Sequence, residues 1–143
     1  MQFRILMLCA MLLLPVCRAA AQNPVRVSIQ SESKGDDVLV PISKYIARGD
    51  ADALSVWFAD NLDMTIFSQG GNSSRAQARQ ILKAFFDNYT PRSFSILHTA
   101  DKGNQKYALA KLHAGGETFN VTIFLNCRKG SYCIQQLSVD RMQ

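Results

Sequence analysis

The stretch Ser73–His98, SSRAQARQILKAFFDNYTPRSFSILH, most constrains what this chain can fold into. Ala78, Ile81, Leu82, Phe85, Phe86 and Tyr89 recur at helical spacing and form one broad apolar face. Arg75, Arg79, Lys83 and Asp87 fall largely on the opposite side, where water holds their charges. Ser73 or Ser74 supplies the N-cap, its hydroxyl accepting from a backbone N–H that otherwise lacks a partner. Pro91 ends the helix, because it disfavours α geometry at Thr90 and has no N–H of its own. Beyond it, Phe94, Ile96 and His98 alternate with Ser93, Ser95 and Thr99, which predicts a half-buried strand. A helix this apolar, leading at once into a strand, is expected to lie across the sheet that the strand joins.

The N-terminus reads as a targeting segment. Arg4 gives a positive start, Ile5 to Val16 is almost wholly apolar, and Ala19-Ala20-Ala21 offers small residues for a signal peptidase. The apolar run is too short for a permanent membrane anchor. Cleavage after Ala21 would remove Arg4 and Arg18 and no acid, lowering the formal charge from +5 to +3. The remaining positive residues are scattered, without the interleaved basic and aromatic runs of a nucleic-acid binder. The expected organisation is a signal peptide over 1–21, an extended leader over 22–35 and one domain over 36–143. In the leader, Val25, Val27 and Ile29 alternate, which suits either a strand added to a sheet edge or an unstructured segment. A periplasmic or secreted location follows, with no membrane anchor after cleavage.

Export places Cys127 and Cys133 in an oxidising compartment. They flank Arg128-Lys129-Gly130-Ser131-Tyr132, a hairpin tip. A register setting 127 opposite 133 would let the sulfurs bridge. Two reduced, half-buried thiols are the alternative, since cross-strand bridges are geometrically demanding.

Within the domain, Asp36 or Asp37 is expected to cap a helix with Val38, Leu39, Ile42, Tyr45 and Ile46 on its apolar face and Pro41 in its first turn. Gly49 closes it, and Asp50 opens a short helix presenting Leu54, Trp57 and Phe58. Leu62, Met64, Ile66 and, less regularly, Phe67 make a first strand, and Gln69-Gly70-Gly71-Asn72 reads as a turn into the long helix. After the strand at Pro91–Thr99, three more are expected over 106–113, 117–127 and 132–139, with hairpin turns at Lys102-Gly103-Asn104, Gly115-Gly116 and Lys129-Gly130. Phe119, Val121, Ile123, Leu125 and Cys127 face one way, and Thr118, Asn120, Thr122, Phe124 and Asn126 the other. The expected fold class is α+β, with helices packed on one face of a curved antiparallel sheet.

This order of elements resembles the cystatin-like, nuclear-transport-factor-2-like superfamily. Ala47-Arg48-Gly49-Asp50-Ala51-Asp52-Ala53-Leu54, then Ser74-Arg75-Ala76-Gln77-Ala78 with Leu82, Phe85-Phe86, Pro91, Phe94 and His98, are similar to a narrower family within it. That family comprises small exported bacterial proteins of unknown function. The resemblance covers about residues 36–139 and implies a cone whose sheet curls around a pocket. It implies no catalytic residues to carry over, because these motifs are mostly caps and core positions.

A pocket in such a cone would draw on Tyr45, Trp57, Phe85, His98, Tyr107, Phe119 and Gln135. The same aromatics serve equally as filling between helix and sheet. His98 and His113 are the only histidines, and no third protein ligand joins them, so no metal and no cofactor is expected. The leading reading is a non-catalytic binding or assembly module, pairing as a homodimer through an outer sheet face that carries Thr118, Thr122, Phe124, Tyr132 and Ile134. Its ligand or partner would be a small apolar molecule or another exported protein. The alternatives are a small-ligand carrier, or an enzyme of the ketosteroid isomerase or dehydratase type using His98 and a tyrosine.

Overall fold

The computed structural model describes residues 34–143, and side chains from Val38 onward. The signal peptide expected over 1–21 and the leader expected over 22–35 lie outside the described residues, except that Lys34 and Gly35 prove to be the first residues of a helix rather than extended leader. Two helices, α1 (Lys34–Arg48) and α2 (Ala51–Ser55), precede the hairpin β1 (Phe58–Ile66) and β2 (Gln69–Ser74). The long helix α3 (Arg75–Asn88) follows, and then β3 (Pro91–Lys102), β4 (Gln105–Ala114), β5 (Glu117–Arg128) and β6 (Ser131–Arg141). The strands form one mixed six-stranded sheet in the order β2-β1-β6-β5-β4-β3. All neighbours are antiparallel except β1 and β6, which run parallel. A wholly antiparallel sheet was the expectation. The parallel pair arises because the chain returns from β5 to β6 alongside β1, closing the middle of the sheet.

The helices cover one face of the curved, unclosed sheet. Helix α3 starts as its residues dictate: Ser74 accepts from the Gln77 N–H, and the Gln77 side chain accepts from the Ser74 N–H, a reciprocal capping box. It buries Ala78, Leu82, Phe85 and Phe86. Ile81 stands on the flank of that face and is exposed. Helix α1 buries Val38, Leu39, Ile42 and Ile46. Below the helices, β4 offers the small residues Ala108, Ala110 and Ala114, and β5 offers Phe119, Val121, Ile123 and Leu125. Small residues facing a helix let it approach the sheet closely, and larger ones on the next strand fill the space beside it.

The structure departs from several expectations. Helix α1 begins at Lys34, so Asp36 and Asp37 lie inside it and Pro41 is an interior residue. Helix α2 ends at Ser55, and Phe58 already belongs to β1, paired with Ile134. Sheet pairing has captured Phe58, because β6 offers it a fully buried neighbour. The stretch Gln69-Gly70-Gly71-Asn72 is strand rather than turn, its residues pairing Ile66 back through Asp63. The turn itself is Phe67-Ser68, at φ 55° and 65°. Both central residues take the left-handed conformation that two-residue hairpins favour, without the Gly or Asn that usually signals it.

Candidate functional site

Four aromatic rings drawn from different elements gather between the helices and the sheet. Phe85 and Tyr89 come from the last turns of α3, Phe119 from the start of β5 and Phe67 from the β1–β2 turn. Phe85 and Phe119 meet edge-to-face with centroids 5.2 Å apart, and Tyr89 and Phe119 do so at 5.1 Å. Phe67 reaches all three partners within 6.1 Å. Its backbone N–H donates to the Val139 carbonyl at 2.8 Å, fixing the turn against β6.

Arg141 closes over this cluster. Register sets it opposite Phe119, so it projects from the same concave face of the sheet. Its guanidinium lies 4.1 Å from the Phe67 ring centroid, in the position where a cation is attracted by the π face. Its Nε donates to Glu117 Oε1 at 3.0 Å, and its Nη2 donates to the Tyr89 hydroxyl at 2.7 Å. The hydrogen bond that Arg141 donates to the Glu117 carboxylate raises the Arg141 pKa above its ordinary value, outweighing partial desolvation; the Tyr89 hydroxyl and the Glu117 charge add to the rise. Beside Arg141, a shallow recess of about 370 Å³ is lined by Phe67, Ser68, Asp140, Arg141 and Gln143.

Of the expected pocket residues, only some are brought together. Phe85 and Phe119 meet in the cluster, and Tyr45 and Trp57 pack half-buried against the core. His98 and Tyr107 stand on the opposite, outer face of the sheet. The strand pattern had placed His98 with Phe94 and Ile96, but a bulge at Leu97 breaks the register between Ile96 and His98. The alternation flips there, so Ile96 pairs with buried Ala110 and His98 with Leu109. A second bulge leaves Gln135 without a partner on β5, since Phe124 pairs with Gln136 and Leu125 with Ile134. Gln135 therefore does not share the face of Leu137 and Val139 by simple alternation.

The same bulge corrects the outer face. Ile134 is wholly buried opposite Leu125, and Tyr132, opposite Cys127, packs against the core. Neither belongs to the outer surface with Thr118, Thr122 and Phe124. That face instead carries lateral rows of paired residues. Tyr107, Phe124 and Gln136 form one row, and Leu109, Thr122 and Ser138 the next. A third runs Lys111, Asn120, Asp140, with opposite charges either side of an amide. Thr65 Oγ1 donates to Ser138 Oγ at 3.0 Å, which donates to Asp140 Oδ2 at 3.1 Å.

Cys127 and Cys133 are both free and half-buried. The hairpin register pairs Cys127 with Tyr132 and Cys133 with Asn126, one step away from the register a bridge needs. Directly opposed residues share a face, so the two thiols project to opposite sides of the sheet. Among the described residues, no three His, Cys, Asp or Glu side chains gather closely enough to hold a metal. No helix of the described residues is long and apolar enough to cross a membrane.

Three helices on a curved, unclosed mixed sheet define the nuclear-transport-factor-2-like, cystatin-like class of fold. An NTF-2-like protein of unknown function from Silicibacter pomeroyi shares the fold at TM-score 0.59 and 16% identity, over 77% of this chain and 99% of that one. Within the class the chain belongs to DUF4783, a domain family of unknown function, whose pattern matches residues 39–140. Two crystal structures from that family are similar to it. The protein from Bacteroides uniformis superposes with TM-score 0.68 at 20% identity, over 71% of this chain and 94% of its own. The protein from Bacteroides fragilis superposes at 0.69 with 18% identity, over 72% and 97%. No curated protein matches the sequence.

Proposed function

We propose that this chain is an exported, non-catalytic binding or assembly module that pairs as a homodimer through the outer face of its sheet. The observation that carries the reading is the row Lys111, Asn120, Asp140, which places opposite charges one strand either side of Asn120. A twofold axis lying along β5 at Asn120 would set each Lys111 against the partner's Asp140, a self-complementary arrangement of the kind isologous contacts require. The neighbouring rows supply Tyr107, Leu109 and Phe124 as apolar contact on the same face. A binding role is favoured over a catalytic one, because aromatic rings pack against one another between α3 and β5 and His98 lies on the outer face. Tyr107, Leu109, Phe124 and His98 together form the surface on which a second copy would rest.

Sedimentation velocity on residues 22–143 tests this. Wild type is expected to sediment as a dimer. Lys111→Glu or Asp140→Lys alone sets like charges together and weakens the dimer by at least roughly tenfold, whereas the double charge swap restores it. A monomeric wild type, or single variants as dimeric as wild type, would overturn the reading.

A further inference from the structure

The two edges of the sheet are built differently. Strand β3, at one edge, starts at Pro91, carries Arg92, Asp101 and Lys102, and is interrupted by bulges after Pro91 and at Leu97. These are the devices by which proteins keep an edge from pairing with another chain. Strand β2, at the other edge, is Gln-Gly-Gly-Asn-Ser-Ser, with no charge and no proline, and its ladder to β1 runs without a register shift. Among the described residues nothing pairs with its outer side.

Beside that edge, between β2 and α3, lies a groove of about 670 Å³. Gly71, Ser73, Ala76, Gln77, Gln80 and Ile81 line most of it, and among the described residues no charged one does. Gly71 pairs with buried Met64, so it lies on the face that looks toward α3. Its φ is +149°, yet nothing stands within 4 Å of where a Cβ would sit. At Gly70, by contrast, a Cβ would come within 2.3 Å of the Met64 carbonyl oxygen, which explains that glycine by packing alone. Gly71 answers to its backbone conformation alone, and the space above it is open. A glycine in mid-strand with open space above it leaves room for another backbone to approach. Ile81, at 36% exposure, keeps an apolar flank turned to this space rather than to the core.

We infer that the β2 edge and the adjoining face of α3 bind an extended, uncharged segment of another protein, added to the sheet as a seventh strand. Unpaired backbone groups of β2 would supply the main-chain hydrogen bonds, which demand an extended ligand of almost any sequence. Selectivity would come from the groove. A side chain projecting toward α3 over Gly71 meets Ala76 and Ile81, so an apolar residue fits there. The amides of Gln77 and Gln80 suit small polar neighbours. The neutral lining offers a charged side chain no partner to offset its desolvation. This surface is separate from the outer face proposed for dimerisation, so either can fail without the other.

Random short peptides displayed on phage, selected on the folded protein and counter-selected on an Asn72→Lys, Ile81→Glu double variant, test the inference. The enriched sequences are expected to be uncharged, with an apolar residue at every second position. A synthetic copy should bind in fluorescence polarisation and lose roughly tenfold or more in affinity when alternate backbone nitrogens are methylated. Both substituted positions are exposed; if near-UV circular dichroism shows the double variant misfolded, Asn72→Lys alone serves as the counter-selection. Enrichment no greater than on the variant, equal binding of the methylated peptide, or a preference for charged sequences would overturn the inference. So would a change in the sedimenting mass of the peptide-free protein on Asn72→Lys, which would assign the edge to a second copy.

Discussion

The Arg141 guanidinium lies 4.1 Å from the ring centroid of Phe67, and Phe67 is held in the left-handed conformation at φ 55°. The two features belong together. A bulky residue in that region costs free energy, and it persists where its surroundings over-determine it. Here the surroundings are three aromatic rings, a cation above the ring and a backbone hydrogen bond to Val139. Arg141 is in turn fixed by Glu117 and the Tyr89 hydroxyl. The turn, the end of α3 and the last strand are thereby locked at one point.

The second turn residue separates the cost of the conformation from the gain of the ring. Ser68 is exposed at φ 65° and makes none of the ring contacts. Ser68→Gly should stabilise the protein by about 0.5–1 kcal/mol, because glycine takes this conformation without a Cβ clash. Phe67→Gly should do the opposite. It recovers about 1–2 kcal/mol of backbone cost, but loses most of the roughly 3 kcal/mol or more that deleting a packed phenylalanine removes. Urea unfolding followed by tyrosine and tryptophan fluorescence reads both; a loss on Ser68→Gly would contradict the account of the turn.

Phe85 and Phe119 carry the cluster from below. Both are nearly wholly buried and meet edge-to-face. Phe85→Ala should cost about 3–5 kcal/mol, enough to unfold much of a marginally stable domain. Phe119→Leu, which keeps most of the volume, should cost less than about half of that. Equal midpoints for the two variants would mean that the cluster collapses around the missing ring.

How far these relationships were legible beforehand depends on where the chain obeys its local signals. The N-cap at Ser73 or Ser74, the stop at Pro91 and the Gly115-Gly116 turn each announce themselves, because the chemistry that makes them is carried by the residues concerned. The alternation of β5 is regular over its whole length, so its two faces were read correctly. The failures cluster at single-residue shifts. A bulge at Leu97 reverses the face of His98, and one at Gln135 moves Ile134 into the core. Nothing in those residue types marks a bulge; it is set by how twisted strands must pair. Strand β2 was hidden for a related reason, since glycines that normally signal a turn here serve a strand, and the turn falls on Phe67-Ser68. Arg141 was missed as a site residue because only register places it over Phe119.

The two glycines of β2 should respond differently to alanine. At Gly70 the added Cβ would stand 2.3 Å from the Met64 carbonyl oxygen, on top of a φ of +125°. Gly70→Ala should therefore cost more than about 2 kcal/mol, combining backbone strain with a clash against rigid main chain. Gly71→Ala meets nothing, and its cost is confined to the backbone, on the order of 1 kcal/mol. Thermal denaturation of the pair decides the matter: similar losses would show that the clash is relieved by movement of β2.

The cysteines give a prediction that turns on register alone. Cys127 and Cys133 project to opposite faces of the hairpin, because each pairs with a residue other than its fellow. A disulfide requires Cβ atoms about 3.5–4.5 Å apart and pointing toward one another. Residues 22–143, purified under oxidising conditions and unfolded in the presence of an alkylating reagent, should therefore take up two adducts without prior reduction. The unfolding midpoint should likewise be unchanged by a thiol reductant, since there is no cross-link whose loop closure could stabilise the fold. Two Cys→Ser substitutions, one at each position, should each shift stability by no more than about 1 kcal/mol, as expected for half-buried thiols without a covalent partner. The absence of any adduct, or a midpoint that falls on reduction, would mean that the β5–β6 hairpin slips by one residue from the register found here. That slip would also carry Ile134 from the core to the surface, so alkylation reports on the packing of the whole outer half of β6.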